Sequence, residues 1–391
     1  LAAAGFEGRA VGGCVRNALL GVPVTDIDIA TSALPHTVMR LAAAAGLRAV
    51  PTGIDHGTIT VLVDHHPFEV TTLRKDVETF GRHATVAFTD DWEADAARRD
   101  FTINALYASA DGTIHDPLGG YPDLAARRVR FIGDPHARIR EDYLRILRFF
   151  RFFAQYAEGS PDAAGLRACV EERAGLVPLS AERVHGEIRK LLTARRALDG
   201  VAAMLDHGLL SGILGAAPSP TLLAQLVAME TAAGTPPSAS LRLAALAVAV
   251  EEDAPRLPAR LKLSNAERDV LAENVWRDLL PLAALDPPAA RRHIYARGPH
   301  RFRAALLLAV AASGPSLVAD TARWRPVLEE AVHWPVPRLP VTGKDLIARG
   351  LAPGPRIGEI LSSLERWWID AGFPDDPAKI ADALEQILVE Q

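Results

Sequence analysis

Apolar positions fall into two regimes along the chain. In the first, short apolar runs rich in β-branched residues alternate with polar, glycine-bearing breaks. This predicts strands at 8–11, 26–30, 48–51, 57–63, 67–73 and 127–132. Thr58-Ile59-Thr60-Val61-Leu62-Val63 and Phe68-Glu69-Val70-Thr71-Thr72-Leu73 carry that signal most clearly. Cys14 to Leu20 is compatible with a helix, and 101–108 reads as helical. Between Arg74 and Asp91 the text turns polar and irregular, which predicts a loop, either a mobile flap beside a site or an ordinary surface connection.

In the second regime the period becomes helical. From Glu141 to Arg151, polar Asp142, Arg145, Arg148 and Arg151 recur every three residues with apolar positions between them, which predicts one amphipathic helix. Leu179 to Ile188 predicts another, with Ser180 as its N-cap. Beyond about Leu209 the chain is Ala/Leu-rich and helical, interrupted by prolines at 216–220, 236–237 and 335–340. The pattern gives an α+β protein, a mixed head followed by an all-helical remainder. The boundaries read as a head at 1–132, a neck at 133–208, and a body and tail at 209–391.

Length and composition narrow the class. The 391 residues suffice for two to four domains, and no apolar run is long enough to span a bilayer. Cys14 and Cys169 fit no metal spacing and suit a reducing cytoplasm. The opening LAAAGFEGRAVGG has no signal-peptide pattern and reads as a helix tail entering a strand, as if part of a natural amino terminus were missing. The net charge of −5 is not that of a global nucleic-acid binder. Locally, Arg127 to Arg151 holds eight arginines against Asp134, Glu141 and Asp142, which points to a polyanionic partner. The chain's preference for arginine, with only five lysines in all, is the plainer account of the same cluster.

The candidate chemistry starts at Val11–Thr31, VGGCVRNALLGVPVTDIDIAT. Gly12-Gly13 before a helix lets backbone approach a ligand, and helix-end N–H groups favour phosphate. Asp26 and Asp28, alternate residues of a strand, face one way about 7 Å apart and can hold Mg²⁺ before a triphosphate. Arg16 lies between, a fork suited to phosphate oxygens. Alone, a glycine pair is an ordinary turn and Asp-x-Asp an ordinary strand end. Combined in one strand–helix–strand unit, they are far more specific. A second stretch, Arg98-Arg99-Asp100-Phe101-Thr102-Ile103-Asn104, offers Arg99 for phosphates and Asp100 near the carboxylates, or else a surface ion pair. No Walker A loop or GxGxxG is present; the only Gly-Lys pair is followed by Asp345.

GGCVRNALLG…DIDIAT, RRDFTINAL, His115-Asp116-Pro117…Gly120…Asp123-Leu124, Glu141-Asp142-Tyr143-Leu144-Arg145-Ile146-Leu147-Arg148 and the segment 179–188 together resemble the bacterial class II tRNA nucleotidyltransferases (CCA-adding enzymes) and their poly(A) polymerase relatives. The resemblance implies a polymerase-beta-like nucleotidyltransferase head with helical neck, body and tail. It implies transfer of CMP and AMP from CTP and ATP to the 3′ end of tRNA, with Mg²⁺ as cofactor, in the cytoplasm, and with no membrane or protein partner. On this reading Asp26 and Asp28 bind two metals and Asp100 is a third catalytic acid. Gly13, Arg16 and Arg99 hold the triphosphate, Asp142 and Arg145 read the base, and Arg148 and Arg151 continue the basic face. Physics makes the base reader credible. Cytosine and adenine each set an amino donor beside an unprotonated ring nitrogen, which an Asp–Arg pair complements; uracil and guanine present the reverse order. The motif departs from the family at Asn17, where the relatives have Asp, and whether the lost charge alters nucleotide affinity is open at this point. A poly(A) polymerase shares these motifs, and a nucleotide- or RNA-binding module without catalysis is the third reading. Lys344 and Arg356 in the tail are either RNA-backbone contacts or ordinary helix-end residues.

Overall fold

The computed structural model describes residues 1–80, 83–276 and 280–390, and these divide into two compact units, Leu1–Gly215 and Ala216–Gln391. In the first, the strands are β1 (Gly8–Val11), β2 (Asp28–Thr31), β3 (Arg48–Gly53), β4 (Thr58–Val63), β5 (His66–Thr72), β6 (Arg74–Phe80), β7 (His83–Phe88), β8 (Tyr107–Ala108) and β9 (Ile114–His115). Seven of them form one mixed sheet in the order β3-β4-β5-β2-β1-β8-β9, with β2 parallel to β5 and the other pairs antiparallel. The β-branched runs that predicted β4 and β5 pair along their whole length, from Thr58 opposite Thr71 to Val63 opposite His66. On one side the helix Pro35–Ala44 covers the sheet through Val38 and Ala42, against Ile59, Val61 and Val70.

Several elements differ from expectation, each for a local reason. The strand predicted at 26–30 begins only at Asp28, so Asp26 precedes the ladder. The helix predicted at 101–108 is one 3₁₀ turn, Thr102–Asn104, after which Tyr107 pairs with Val11 of β1. Residues 127–132 make a single bridge, Phe131 to Phe101, because Arg128 and Arg130 turn to the buried Asp123. The predicted loop after Arg74 contains the β6–β7 hairpin; Gly81 and Arg82 lie outside the described residues. In RKDVETF and HATVAF apolar and polar residues do not alternate cleanly, so no period of two stands out in the sequence.

The neck helices show the most consequential difference. Instead of one helix through 141–151, Pro135–Glu141 ends and Leu144–Tyr156 begins, with Asp142 extended between them at φ −154°, ψ 104°. The Asp142 side chain accepts from Leu144 N at 3.1 Å, a local bond that competes with continuing the helix. Ser180 stands at the N-cap of Ala181–Leu192, but its side chain makes no capping bond.

An aromatic cluster joins the neck to the head. Phe101 packs on Phe131 and Phe152 at ring separations of 4.9 and 5.1 Å, and Phe149 stacks on Phe131 at 5.4 Å. The second unit is helical from Pro220 to Glu390. Its core is built on Leu226, Met229, Phe302 and Leu306, and a smaller cluster of Leu346, Ile360, Leu364 and Leu384 supports the last helices. Among the described residues no helix is long and apolar enough to cross a membrane.

Phe149 is fully buried in the head–neck cluster. Phe149→Ala is therefore expected to cost about 3–5 kcal/mol in urea unfolding. A loss below 1 kcal/mol would show that the cluster does not join the two parts.

Candidate active site

A cavity of about 720 Å³ opens in the first unit, and cations dominate its wall. Arg16, Arg74, Arg98, Arg99, Arg145, Arg148, Arg151, Arg183 and Lys190 line it, against Asp28, Asp100 and Asp142. So concentrated a positive wall in a concave site suits a polyphosphate. The structure thus gathers Gly13, Arg16, Asp28, Arg99, Asp100, Asp142, Arg145, Arg148 and Arg151 around one space. Asp26 is not part of the lining.

At the floor the chain turns at Gly12, with φ +71°, into the helix Gly13–Leu19. A Cβ on Gly12 would sit 3.3 Å from an Arg99 nitrogen and 3.4 Å from the Asn104 carbonyl. The backbone requirement therefore falls on Gly12 more than on Gly13. Arg16 is buried, and burial lowers its pKa, although the phenol of Tyr156 opposes this. Its guanidinium donates to Asn104 Oδ1, to Tyr156 Oη at 2.7 Å and to Asn17 Oδ1 at 2.9 Å, and lies 4.0 Å from the Tyr156 ring centre.

Arg98 and Arg99 are held by one buried carboxylate, Asp95. Arg98 donates to its Oδ1 at 2.7 and 2.8 Å; Arg99 and the Tyr107 hydroxyl donate to Oδ2 at 3.1 and 2.8 Å. Burial pushes the Asp95 carboxyl up, but Arg99 and Arg98 outweigh it and the net shift is downward. The Arg99 Nε is buried with no hydrogen-bond partner among the described residues. An unmet donor in a cationic cavity is a place for a ligand's acceptor.

Asp100 does not have a free face. Its Oδ1 accepts from Phe101 N at 2.9 Å and Asn104 Nδ2 at 2.8 Å, and its Oδ2 accepts two bonds from Arg148. Against the effect of burial, Arg148 above all keeps its pKa below the ordinary value. Protein donors take up the Asp100 oxygens, and the carboxylate anchors Arg148. Arg151 is likewise not a free member of a basic face, since it is buried and pairs with Glu187 at 2.5 Å.

Asp142 and Arg145 do not pair through their side chains. Arg183 donates to Asp142 Oδ2 at 2.6 Å, while Arg145 donates to Glu141, to Arg138 O at 2.8 Å and to Arg98 O at 3.3 Å. Each is clamped by other groups, and both line the cavity.

For a metal, the observable is Asp28. Burial raises its carboxyl pKa, Asp26 adds to the rise, and Arg99 opposes it. A carboxylate whose ionised form is disfavoured by burial and by a neighbouring acid is relieved by a divalent cation, and hard oxygen donors suit Mg²⁺, which keeps water and substrate oxygens in its other positions. Among the described residues no group of three or more His, Cys, Asp or Glu forms a complete protein cage. The donor set fits a cation shared with substrate phosphate.

Comparison with known proteins agrees. The family described as the poly A polymerase head domain matches residues 8–130. Over 379 residues the chain is 35% identical to the mitochondrial CCA tRNA nucleotidyltransferase 1 of Mus musculus, covering 94% of this chain and 84% of that protein. It is 32% identical over an alignment of 396 residues to the CCA-adding enzyme of Limosilactobacillus fermentum, covering 98% and 94%.

The chain belongs to the family of CCA-adding tRNA nucleotidyltransferases.

A solved member of this family, the CCA-adding enzyme of Bacillus stearothermophilus in complex with CTP, matches with a TM-score of 0.76 at 27% identity over all of this chain and 95% of that one. The Thermotoga maritima CCA-adding enzyme complexed with tRNA shares the fold, with a TM-score of 0.69 at 18% identity over 100% and 92%. The expected α+β class, a mixed-sheet head with a helical remainder, is that of the family. What the family motifs did not single out in this CCA-adding homologue is the support: Asp95, Asn104, Tyr156 and Arg183. Asn104 and Arg183 lay inside quoted motifs without a role; Asp95 and Tyr156 carried no signal beyond helical spacing from Arg99 and Phe152.

Asp95 and Asp100 both lie below their ordinary pKa of 3.8. Their contribution to stability is full above that value and is lost as the pH falls through the lower folded values. Asp95→Asn is expected to lose about 3 kcal/mol at neutral pH and to show a shallower acid decline than the native chain. Urea unfolding followed from pH 7 to about pH 3 measures both; parallel curves would remove Asp95 from the account.

Proposed function

We propose that this protein adds CMP and AMP from CTP and ATP to the 3′ end of tRNA without a nucleic-acid template, as the names of its relatives describe. The observation that carries the reading is the cavity itself. Asp28, Asp142 and Arg145 line one space together with Arg16, Arg98, Arg99 and Arg148.

Arg16 and Arg99 are the proposed triphosphate holders, Arg99 with its unmet Nε donor. Asp142 and Arg145 are the proposed base reader. A carboxylate has about four lone-pair sites and a guanidinium five N–H donors. The protein contacts on Asp142 use two acceptor positions, and those on Arg145 leave donors over. Each group is thus fixed in place yet retains capacity for the edge of C or A. The proposed Mg²⁺ would be held by Asp28 with Asp26, and when bound it supplies charge that acidifies the primer 3′-hydroxyl and neutralises the leaving pyrophosphate. Arg148 and Arg151 stiffen the wall behind the base. The head at 1–132, neck at 133–208 and tRNA-binding remainder from 209, and a cytoplasmic location, belong to the same proposal.

A reader of one Asp and one Arg accepts C and A alike, so the end point has to come from the shape of the tRNA. Extension of tRNA lacking its terminal nucleotides, with each labelled NTP, is expected to stop at CCA. Long tails on oligo(A) from ATP alone, with no CTP used on tRNA, would instead assign a poly(A) polymerase. In the same assay Asp28→Ala is expected to lose roughly a hundred- to a thousandfold in rate. Asp142→Ala is expected to admit UTP and GTP, since one good paired contact is worth roughly 1–3 kcal/mol of base choice. Near-native incorporation by Asp28→Ala, or unchanged selectivity in Asp142→Ala, would contradict the residue assignments.

A further inference from the structure

Two arginines of the cavity come from distant parts of the chain, Arg16 from the glycine turn and Arg148 from the neck helix. Two buried side chains, Asn104 and Asp100, stand between them. Asn104 Oδ1 accepts from Arg16 Nη1, and Asn104 Nδ2 donates at 2.8 Å to Asp100 Oδ1. The other oxygen of Asp100 accepts from Arg148 Nε at 2.7 Å. On the far side, Arg16 donates to Asn17 Oδ1, and Asn17 Nδ2 donates at 3.1 Å to Pro23 O, in the segment that leads to Asp26 and Asp28. The hydrogen bonds therefore run unbroken from the neck arginine to the start of the carboxylate segment.

The chemistry of position 104 is restrictive. It must accept from a guanidinium and donate to a carboxylate at once, and a primary amide does both from one planar group. An aspartate there would set oxygen against oxygen. An alkyl chain would leave a buried cation and a buried anion each short of a partner. The same logic makes Asn17 more than a neutral stand-in for the family's Asp, because a carboxylate could not donate to Pro23 O.

We propose that Asn104 is a positioning residue that ties Arg16 to Arg148 through Asp100, so that the phosphate side and the base side of the cavity are set at a fixed spacing before the nucleotide arrives. The inference rests on the nucleotidyltransferase reading and deepens it. Asn104 also lines the cavity; the effect proposed here passes through the two arginines that its amide links.

The test compares the native chain with Asn104→Asp and Asn104→Leu. CTP binding at equilibrium and CMP incorporation on tRNA are measured from about pH 5 to 8, with thermal unfolding as a control. In Asn104→Asp two carboxylates face each other and share one proton at acid pH. Arg16, Arg148 and the Tyr156 hydroxyl surround that pair, with Arg151 acting on Asp100 and Glu187 on Arg148 and Arg151. The shared proton restores the missing donor, so CTP affinity near native is expected at the acid end, with about a tenfold loss as the pH rises. Asn104→Leu has no proton to share and is expected to be about tenfold weaker at every pH. A profile for Asn104→Asp that superimposes on the native one overturns the bridge. Should that variant not fold, a double-mutant cycle of Arg16→Lys with Arg148→Lys decides: effects on CTP affinity that depart from additivity by threefold or more support the link, and additive ones overturn it. A native chain that incorporates no CMP overturns the nucleotidyltransferase reading and the bridge together, whereas an active native chain with an indifferent Asn104→Asp overturns the bridge alone.

Discussion

Asp100, buried and accepting four N–H bonds, is the contact on which the site depends. Its neighbours explain why. Cations crowd one cavity wall and repel one another, and side chains as long as arginine would splay into solvent if left to themselves. Asp95 fixes Arg98 and Arg99, Asp100 fixes Arg148, Glu187 fixes Arg151, and Glu141 holds Arg138 and Arg145. Buried pairs of this kind add little net stability, because desolvation offsets the attraction. Their effect is geometric. The guanidinium groups are ordered by the protein itself, so on the proposed function less freedom is lost when a nucleotide arrives.

That geometry needs a rigid frame, which the aromatic cluster supplies. Phe101 directly follows Asp100, and Phe152 lies one helical turn beyond Arg148, so the same two segments that exchange the Asp100–Arg148 bond also pack ring against ring. Arg16, Arg148 and Arg151 each lie within about 5.5 Å of the Phe152 ring centre. Apolar packing and charge pairing thus reinforce one register between head and neck.

The sequence carried the parts that interact with a ligand and left out the parts that hold them. GGCVRN, DID, RRD and EDYLR were legible because residue type and spacing together are rare, and the structure brings Gly13, Arg16, Asp28, Arg99, Asp100, Asp142 and Arg145 from them around one cavity, with Asp26 outside its lining. The strands β4 and β5 were legible from β-branched runs. The break at Asp142 was not, because the helical period runs straight through it and only a side chain bonding to the next turn stops the helix. Asp95 was invisible for a similar reason: a buried acid inside Glu93-Ala94-Asp95-Ala96 looks like any solvated helix position until its two arginines and Tyr107 close over it. Asp100 stands out in the sequence as an acid inside the motif, whereas the four donors that surround it do not show there.

The central claim is that the protein alone, without RNA, presents a preordered surface complementary to C and A. Equilibrium binding of the four ribonucleoside triphosphates to the tRNA-free native chain tests it most directly. The account predicts that CTP and ATP bind about tenfold or more tightly than UTP and GTP, a margin equal to a single well-made base contact of roughly 1–3 kcal/mol. Equal affinities for all four would contradict it and place base choice in the RNA-bound state alone.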